Sequence, residues 1–257
     1  MKIYVMGLGN MGSWFARSLK QEHAVAGYDK EKSRVEKLKG EIKILNPEEL
    51  ESYEPDLVLN AVTLKDTIEA FESIDPFIKE PTILCDIASV KGDIQGYYKK
   101  KGLRFLSMHP MFGPTFANME KLKGENVIFI SGSDKEAVNT FKRFFKKYRL
   151  KFFELSFEEH DRMMAYSLAV PFISSLVFAS CVEKTVVPGT TFSKHLSIAR
   201  GLLSEDDHLL GEILFNTHTL PEVEKITGRL EYLKHIIKQK DQEELSGLLS
   251  RLRRNIG

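Results

Sequence analysis

Along the first 155 residues, short apolar runs alternate with amphipathic stretches in a steady rhythm. Residues 2–6, 23–28, 42–45, 57–62, 82–86, 104–108, 127–131 and 151–155 are compact and mostly apolar, and they read as strands. Helical spacing fills the gaps, through Phe15, Ala16 and Leu19 and then across 31–38, 66–74, 92–100 and 135–148. Strand and helix taken in turn predict an α/β fold, a doubly wound and mostly parallel sheet. In the last of these helices Val138, Phe141, Phe144 and Phe145 share a face, and such an aromatic stripe is expected in the core.

The pattern changes at Ser156. Beyond it only helical periodicity remains, so the chain divides into a sheet domain over 1–155 and an all-α domain over 156–257. Ser156 and Glu159 form a capping box ahead of a long helix. Within that helix residues 163–182 carry no charge, a length sufficient to cross a bilayer. Ser167, Ser174, Ser175 and Ser180 are polar and Pro171 interrupts the run, so the expectation is no membrane and a soluble helix buried on all sides. A tail of roughly a hundred residues cannot wrap such a helix alone. An intertwined homodimer is therefore expected.

Composition narrows the possibilities further. The 257 residues carry a formal net charge of +1, which points to no nucleic-acid partner. Cys85 and Cys181 lie far apart in apolar runs and read as buried thiols in a reducing compartment. The first residues already read as a strand and leave no room for a targeting peptide, so the cytoplasm is the expected location.

The turn after the first strand reads G-L-G-N-M-G, placing Gly7, Gly9 and Gly12 in the spacing G-x-G-x-x-G, with Asn10 and Met11 opening the helix. Gly7 permits the turn, Gly9 admits a pyrophosphate, and Gly12 lets the helix pack on the strand, while the helix N-terminus offers amide donors. Asp29 ends the second strand, seventeen residues after Gly12, where a carboxylate can bind ribose hydroxyls. Val62 and Thr63, where the fourth run ends, complete the set of cofactor-binding candidates. Asp29 would repel a 2′-phosphate and favours NAD; Lys30, Lys32 and Arg34 just beyond leave NADP open.

Two further segments, D-I-A-S-V-K and H-P-M-F-G-P, follow the 82–86 and 104–108 runs. Open parallel sheets bind ligands outside the carboxyl ends of their strands. Ser89 and His109 are thus expected on neighbouring loops, the hydroxyl orienting an imidazole that takes a proton near neutral pH. A plainer reading makes Ser89 a helix cap and His109 the prelude to a proline turn. The loop 115–124 follows directly and is placed where a lid would be.

With G-L-G-N-M-G, D-I-A-S-V-K, H-P-M-F-G-P and E-E-H-D-R-M-M-A-Y in this order, the chain resembles the prephenate/arogenate dehydrogenase family over essentially its whole length. The resemblance implies a Rossmann domain followed by a helical dimerisation domain. It also implies NAD(P)-dependent oxidative decarboxylation of prephenate, with no metal. By the same resemblance His109 is catalytic, Ser89 contacts the hydroxyl that His109 deprotonates, and Arg200 binds a substrate carboxylate. His160 matches too and is taken to position the helix start. The family's histidine within the long helix has no counterpart in L-A-V-P-F at 168–172, which leaves arogenate as an alternative substrate. Two rival readings stand beside this one: a different dehydrogenase of the same two-domain build, and a non-catalytic nucleotide-sensing dimer.

Overall fold

The computed structural model describes residues 1–113, 117–183 and 187–257, so Pro114 of H-P-M-F-G-P and the first two residues of the 115–124 loop lie outside it. Eight strands form one sheet: β1 (Lys2–Met6), β2 (Ala24–Tyr28), β3 (Lys43–Ile44), β4 (Leu57–Asn60), β5 (Ile83–Asp86), β6 (Phe105–Pro110), β7 (Asn126–Ile130) and β8 (Lys151–Leu155). Their order is β3-β2-β1-β4-β5-β6-β7-β8, and every pairing is parallel except β6 with β7. Parallel neighbours need a crossover element between them. Among the described residues of 111–125 no helix forms, and the chain doubles back instead.

Helices α1 (Asn10–Leu19), α2 (Lys32–Glu36), α3 (Leu50–Tyr53), α4 (Leu64–Ile74), α5 (Ile94–Lys101) and α6 (Lys135–Lys146) cover the sheet. Both faces are buried, which is why the strands read as continuous apolar runs. Ile3 and Val5 point into one core with Phe15, Leu19 and the Phe141, Phe144 and Phe145 stripe of α6. Tyr4 and Met6, one residue out of phase, point into the other with Phe71, Tyr97 and Tyr98.

After β8 ends at Leu155, α7 (Phe157–Met164), α8 (Val170–Ser180), α9 (Thr190–Leu202), α10 (Asp207–Leu214), α11 (Thr219–Gln239) and α12 (Gln242–Ile256) make up the helical half. The Ser156 hydroxyl accepts from the Glu159 amide at 3.2 Å, and the Glu159 carboxylate accepts from the Ser156 amide at 2.8 Å. That capping box starts a helix that runs on to Ser180, passing through a π turn at Ala165–Ala169. Pro171 does not interrupt it. Proline offers no N–H to the carbonyl of Ser167 and its ring crowds that oxygen, and the wide turn just ahead absorbs the misfit.

A second expectation is corrected here, the burial of Cys181. The long helix is apolar enough to cross a membrane, yet only 17% of its most apolar window is buried within the chain, and α8 has no fully buried residue. Among the described residues α9, α10, α11 and the Val90 loop pack against the long helix, and Met163, Tyr166 and Val177 stay exposed. Cys181, just past the end of α8, is accordingly exposed, whereas Cys85 in β5 is buried as expected.

A small third core joins the halves. Val90, from the D-I-A-S-V-K segment, packs with Ala169 and Ile213, flanked by Leu64, Phe172 and Ile173. The helical half is thereby seated on the loop that carries Ser89.

Candidate active site

The glycine turn leaves β1 with Gly7 at φ +82°, a conformation that side chains rarely adopt. A Cβ on Gly7 would stand 2.9 Å from the carbonyl of Ala61 and from Val62 Cγ1, so the 61–63 loop lies directly against the turn. Asn60 holds that loop, its amide oxygen accepting from the Val62 N–H at 3.2 Å and its amide nitrogen donating to the Thr67 carbonyl. Thr63 caps α4. Gly9 caps α1 without any side-chain bond, which leaves the first amides of α1, from Asn10 and Met11 onward, pointing outward. A Cβ on Gly12 would fall 1.8 Å from the Gly7 carbonyl oxygen. An open helix N-terminus over a turn whose Gly7 and Gly9 carry no side chains fits the pyrophosphate of a dinucleotide.

Asp29 is buried and braces the turn. One carboxylate oxygen accepts from the Leu8 amide at 2.7 Å, the other from the Glu31 amide at 2.8 Å. Arg34 reaches the first of these at 3.4 Å, and its guanidinium stands 3.9 Å from the Cβ position of Gly9. Lys30 turns instead to Asp66, at 3.4 Å.

His109 departs from expectation in its setting. Strand β6 runs on through Pro110, so His109 lies inside the strand, opposite Ile128 of β7, and not on a loop. The antiparallel partner β7 extends the ladder past the point where the parallel pairing with β5 stops, at Asp86 and Ser107. The ring is buried, and its Nδ1 lies 3.0 Å from Nε2 of His160 on α7. His160 is fully buried, with its Nδ1 2.8 Å from Asp161 Oδ1. Asp161 also accepts the amides of Lys91 and Gly92, at 2.8 and 3.0 Å. Burial pushes the His109 imidazole well below the ordinary histidine range, and the charges near His160 and Lys91 push the same way.

Beneath this pair lies a sealed ion pair. Lys91 Nζ donates to Asp86 Oδ2 at 2.6 Å and to the carbonyl of Met108 at 2.8 Å, and both side chains are fully buried. The Tyr98 hydroxyl donates to the other Asp86 oxygen at 3.0 Å, and the Ala88 amide to Oδ2 at 3.2 Å. Lys91 therefore ties the D-I-A-S-V-K loop both to the residue preceding His109 and, through its amide, to Asp161.

Ser89 is half-buried on the loop after β5. Among the described residues no hydrogen bond joins it to His109, whose partner is His160, and the cap of α5 is Asp93. Arg200 lies exposed in the last turn of α9, and among the described residues it forms no ion pair. An open cleft of about 420 Å³ runs between the halves, lined by Lys65, Val90, Gly92, Asp161, His208 and Glu212. Across it Glu212 of α10 accepts the Lys65 amide at 3.0 Å, and burial raises its carboxyl above the usual range.

Sequence reasoning passed over His160 as part of the site, along with Asp161, Asp86 and Lys91. The cues were an acid and a lysine five residues apart around Ser89, and an H-D pair opening the long helix. Neither pattern has a meaning until the fold sets them side by side.

The family profile described as "Prephenate dehydrogenase, nucleotide-binding domain" matches residues 15–154. The chain is 24% identical over 271 residues to the probable arogenate/prephenate dehydrogenase of Methanocaldococcus jannaschii, spanning 98% of this chain and 60% of that protein. It is 27% identical over 228 residues to the T-protein of Haemophilus influenzae, spanning 83% of this chain and 55% of the relative. It thus covers somewhat more than half the length of these relatives. In fold it is similar to the crystal structure of prephenate dehydrogenase from A. aeolicus in complex with hydroxyphenyl propionate and NAD+. That match has a TM-score of 0.82 at 21% identity, covering 99% of this chain and 96% of the other.

Proposed function

The chain belongs to the prephenate dehydrogenase family, and from that premise we propose that it oxidises and decarboxylates prephenate to 4-hydroxyphenylpyruvate, a step of tyrosine biosynthesis in the cytoplasm. The observation that carries this reading is a buried, neutral His109 at the carboxyl end of the sheet whose β1 bears the open glycine turn. NAD bound at Gly7, Gly9, Asn10, Met11, Gly12, Asp29, Val62 and Thr63 supplies the hydride acceptor.

His109 takes the proton of the ring hydroxyl, and the oxygen lone pair so released expels hydride from C4. Carbon dioxide leaves in the same sense, because its loss makes the ring aromatic. Ser89 contacts the hydroxyl that His109 deprotonates. Arg200 binds a substrate carboxylate, a task suited to a planar bidentate donor. The uncovered faces of the long helix support a homodimer built through the helical half. Arogenate is the second reading, supported by the missing histidine at 168–172. Arg34, seated on Asp29 beside the glycine turn, supports NADP as a second cofactor.

The test measures reduced-cofactor formation from prephenate, arogenate and simple hydroxyacids in parallel, each with NAD and with NADP. Turnover of prephenate with NAD is expected. Turnover of hydroxyacids alone, or nucleotide binding with no turnover of any substrate, overturns the proposal.

A further inference from the structure

We propose that His160 and Asp161 are positioning residues that fix the tautomer of His109, so that its Nε2 always carries the lone pair that accepts the substrate proton. The inference rests on the proposed reaction for its purpose, but its structural content does not need that reaction.

The chain of donors and acceptors begins at Asp161. Burial pushes this carboxyl up, but the His160 ring and the amides of Lys91 and Gly92 outweigh that and hold it below the usual range. An ionised carboxylate only accepts hydrogen bonds, so His160 Nδ1, 2.8 Å away, must donate. Burial keeps His160 neutral against the pull of Asp161. A neutral imidazole has one donor and one acceptor, so the Nε2 of His160 accepts. The atom facing it at 3.0 Å is Nδ1 of His109, which must then be the donor. That leaves Nε2 of His109 as the basic nitrogen, and among the described residues it has no hydrogen-bond partner.

The charged and titratable groups around the pair agree with this assignment. From the loop after β5 comes Lys91, whose ammonium is held on Asp86 and the Met108 carbonyl; from β5, Asp86; from α5, Tyr98 on Asp86; from α7, Asp161. The ammonium disfavours a second positive charge at either ring. Only when substrate gives up its proton does His109 become an imidazolium, and its Nδ1–H then points down a line of acceptors ending in a carboxylate. Asp161 therefore acts on the reaction through two rings, without touching substrate.

Histidine-selective 15N labelling followed by two-bond proton–nitrogen correlation reads the tautomer directly. The chain has 7 histidines, and the His109 signals are assigned by their loss in His109→Asn. At neutral pH and without substrate, His109 is expected protonated on Nδ1 and bare on Nε2. The opposite tautomer overturns the proposal, whatever the protein turns over. If the Nδ1–H tautomer is found and prephenate and arogenate are both inert, the inference stands and the reading of the reaction fails.

Kinetics supply a second arm. Asp161→Ala removes the acceptor that orients His160, and kcat is expected to fall on the order of a hundred- to ten-thousand-fold with KM and NAD affinity little changed. His160→Gln keeps an amide oxygen for His109 Nδ1–H and is expected to retain at least about tenfold more kcat than His160→Leu. Equal activity of the Gln and Leu variants, or a loss seen only in KM, overturns the positioning role.

Discussion

An imidazole accepts a proton only while it is neutral, and the surroundings of His109 enforce that state. Its burial, with the neighbouring His160 and Lys91, sets its protonation below the ordinary histidine value of about 6.5. The acid limb of the kcat profile is therefore expected below pH 6.5, with a plateau through neutrality; a limb above 6.5 would contradict this electrostatic account. Stability follows the same sign. Both His109 and His160 bind protons less readily folded than unfolded. Unfolding free energy should be flat near neutrality and fall as pH drops through about 6.5, where the unfolded chain gains protons that the fold refuses. His109→Asn should keep NAD binding and lose on the order of a hundred- to ten-thousand-fold in kcat, measured by steady-state kinetics beside nucleotide titration. Arg200→Gln should chiefly raise KM for prephenate, since a carboxylate clamp serves ground state and transition state alike. An unmoved KM would release Arg200 from the substrate.

At the level of elements, the contact between β1 and α1 is the least forgiving. Gly12 meets the Gly7 carbonyl where a methyl group would sit 1.8 Å from the oxygen, and that atom is backbone. Gly12→Ala should destabilise by about 3 kcal/mol in urea unfolding and weaken nucleotide binding, because the helix must lift off the strand. Gly96→Ala, in α5 with open space at its Cβ, is the control and should be neutral or slightly stabilising. The same scale explains where the predicted elements shifted. Strand β6 gained His109 and Pro110 because β7 runs antiparallel beside it, a pairing that the local sequence of β6 does not announce. The start of α7 was fully legible, since a capping box is written in adjacent residues.

For the whole molecule the outstanding feature is an apolar helix that the described residues leave partly uncovered. Met163, Tyr166 and Val177 are exposed along it, as are Ile198, Leu230 and Ile237 on neighbouring helices. Where exposed apolar side chains adjoin in a large patch, the surface marks a site of association. Sedimentation is expected to give a species of twice 29.4 kDa, and Val177→Asp, at a position 49% exposed in the single chain, should shift it toward monomer. A wild-type protein sedimenting at 29.4 kDa would remove the dimer from the proposal.

Alternating apolar runs, a glycine turn and the capping box at Ser156 are local codes, and they determined the layered sheet, the nucleotide-type turn and the start of the helical half at 156 without reference to distant residues. The partners of the imidazole were decided elsewhere. His109 and His160 are 51 residues apart in sequence, and Lys91 and Asp161 are 70 apart. Only the seating of α7 beside β6 and the 86–93 loop closes those separations to hydrogen-bond length. Hydrogen bonds act over about 3 Å, so the chemistry of the site belongs to the packing of the two halves, while periodicity and turn residues sufficed for the frame that packs.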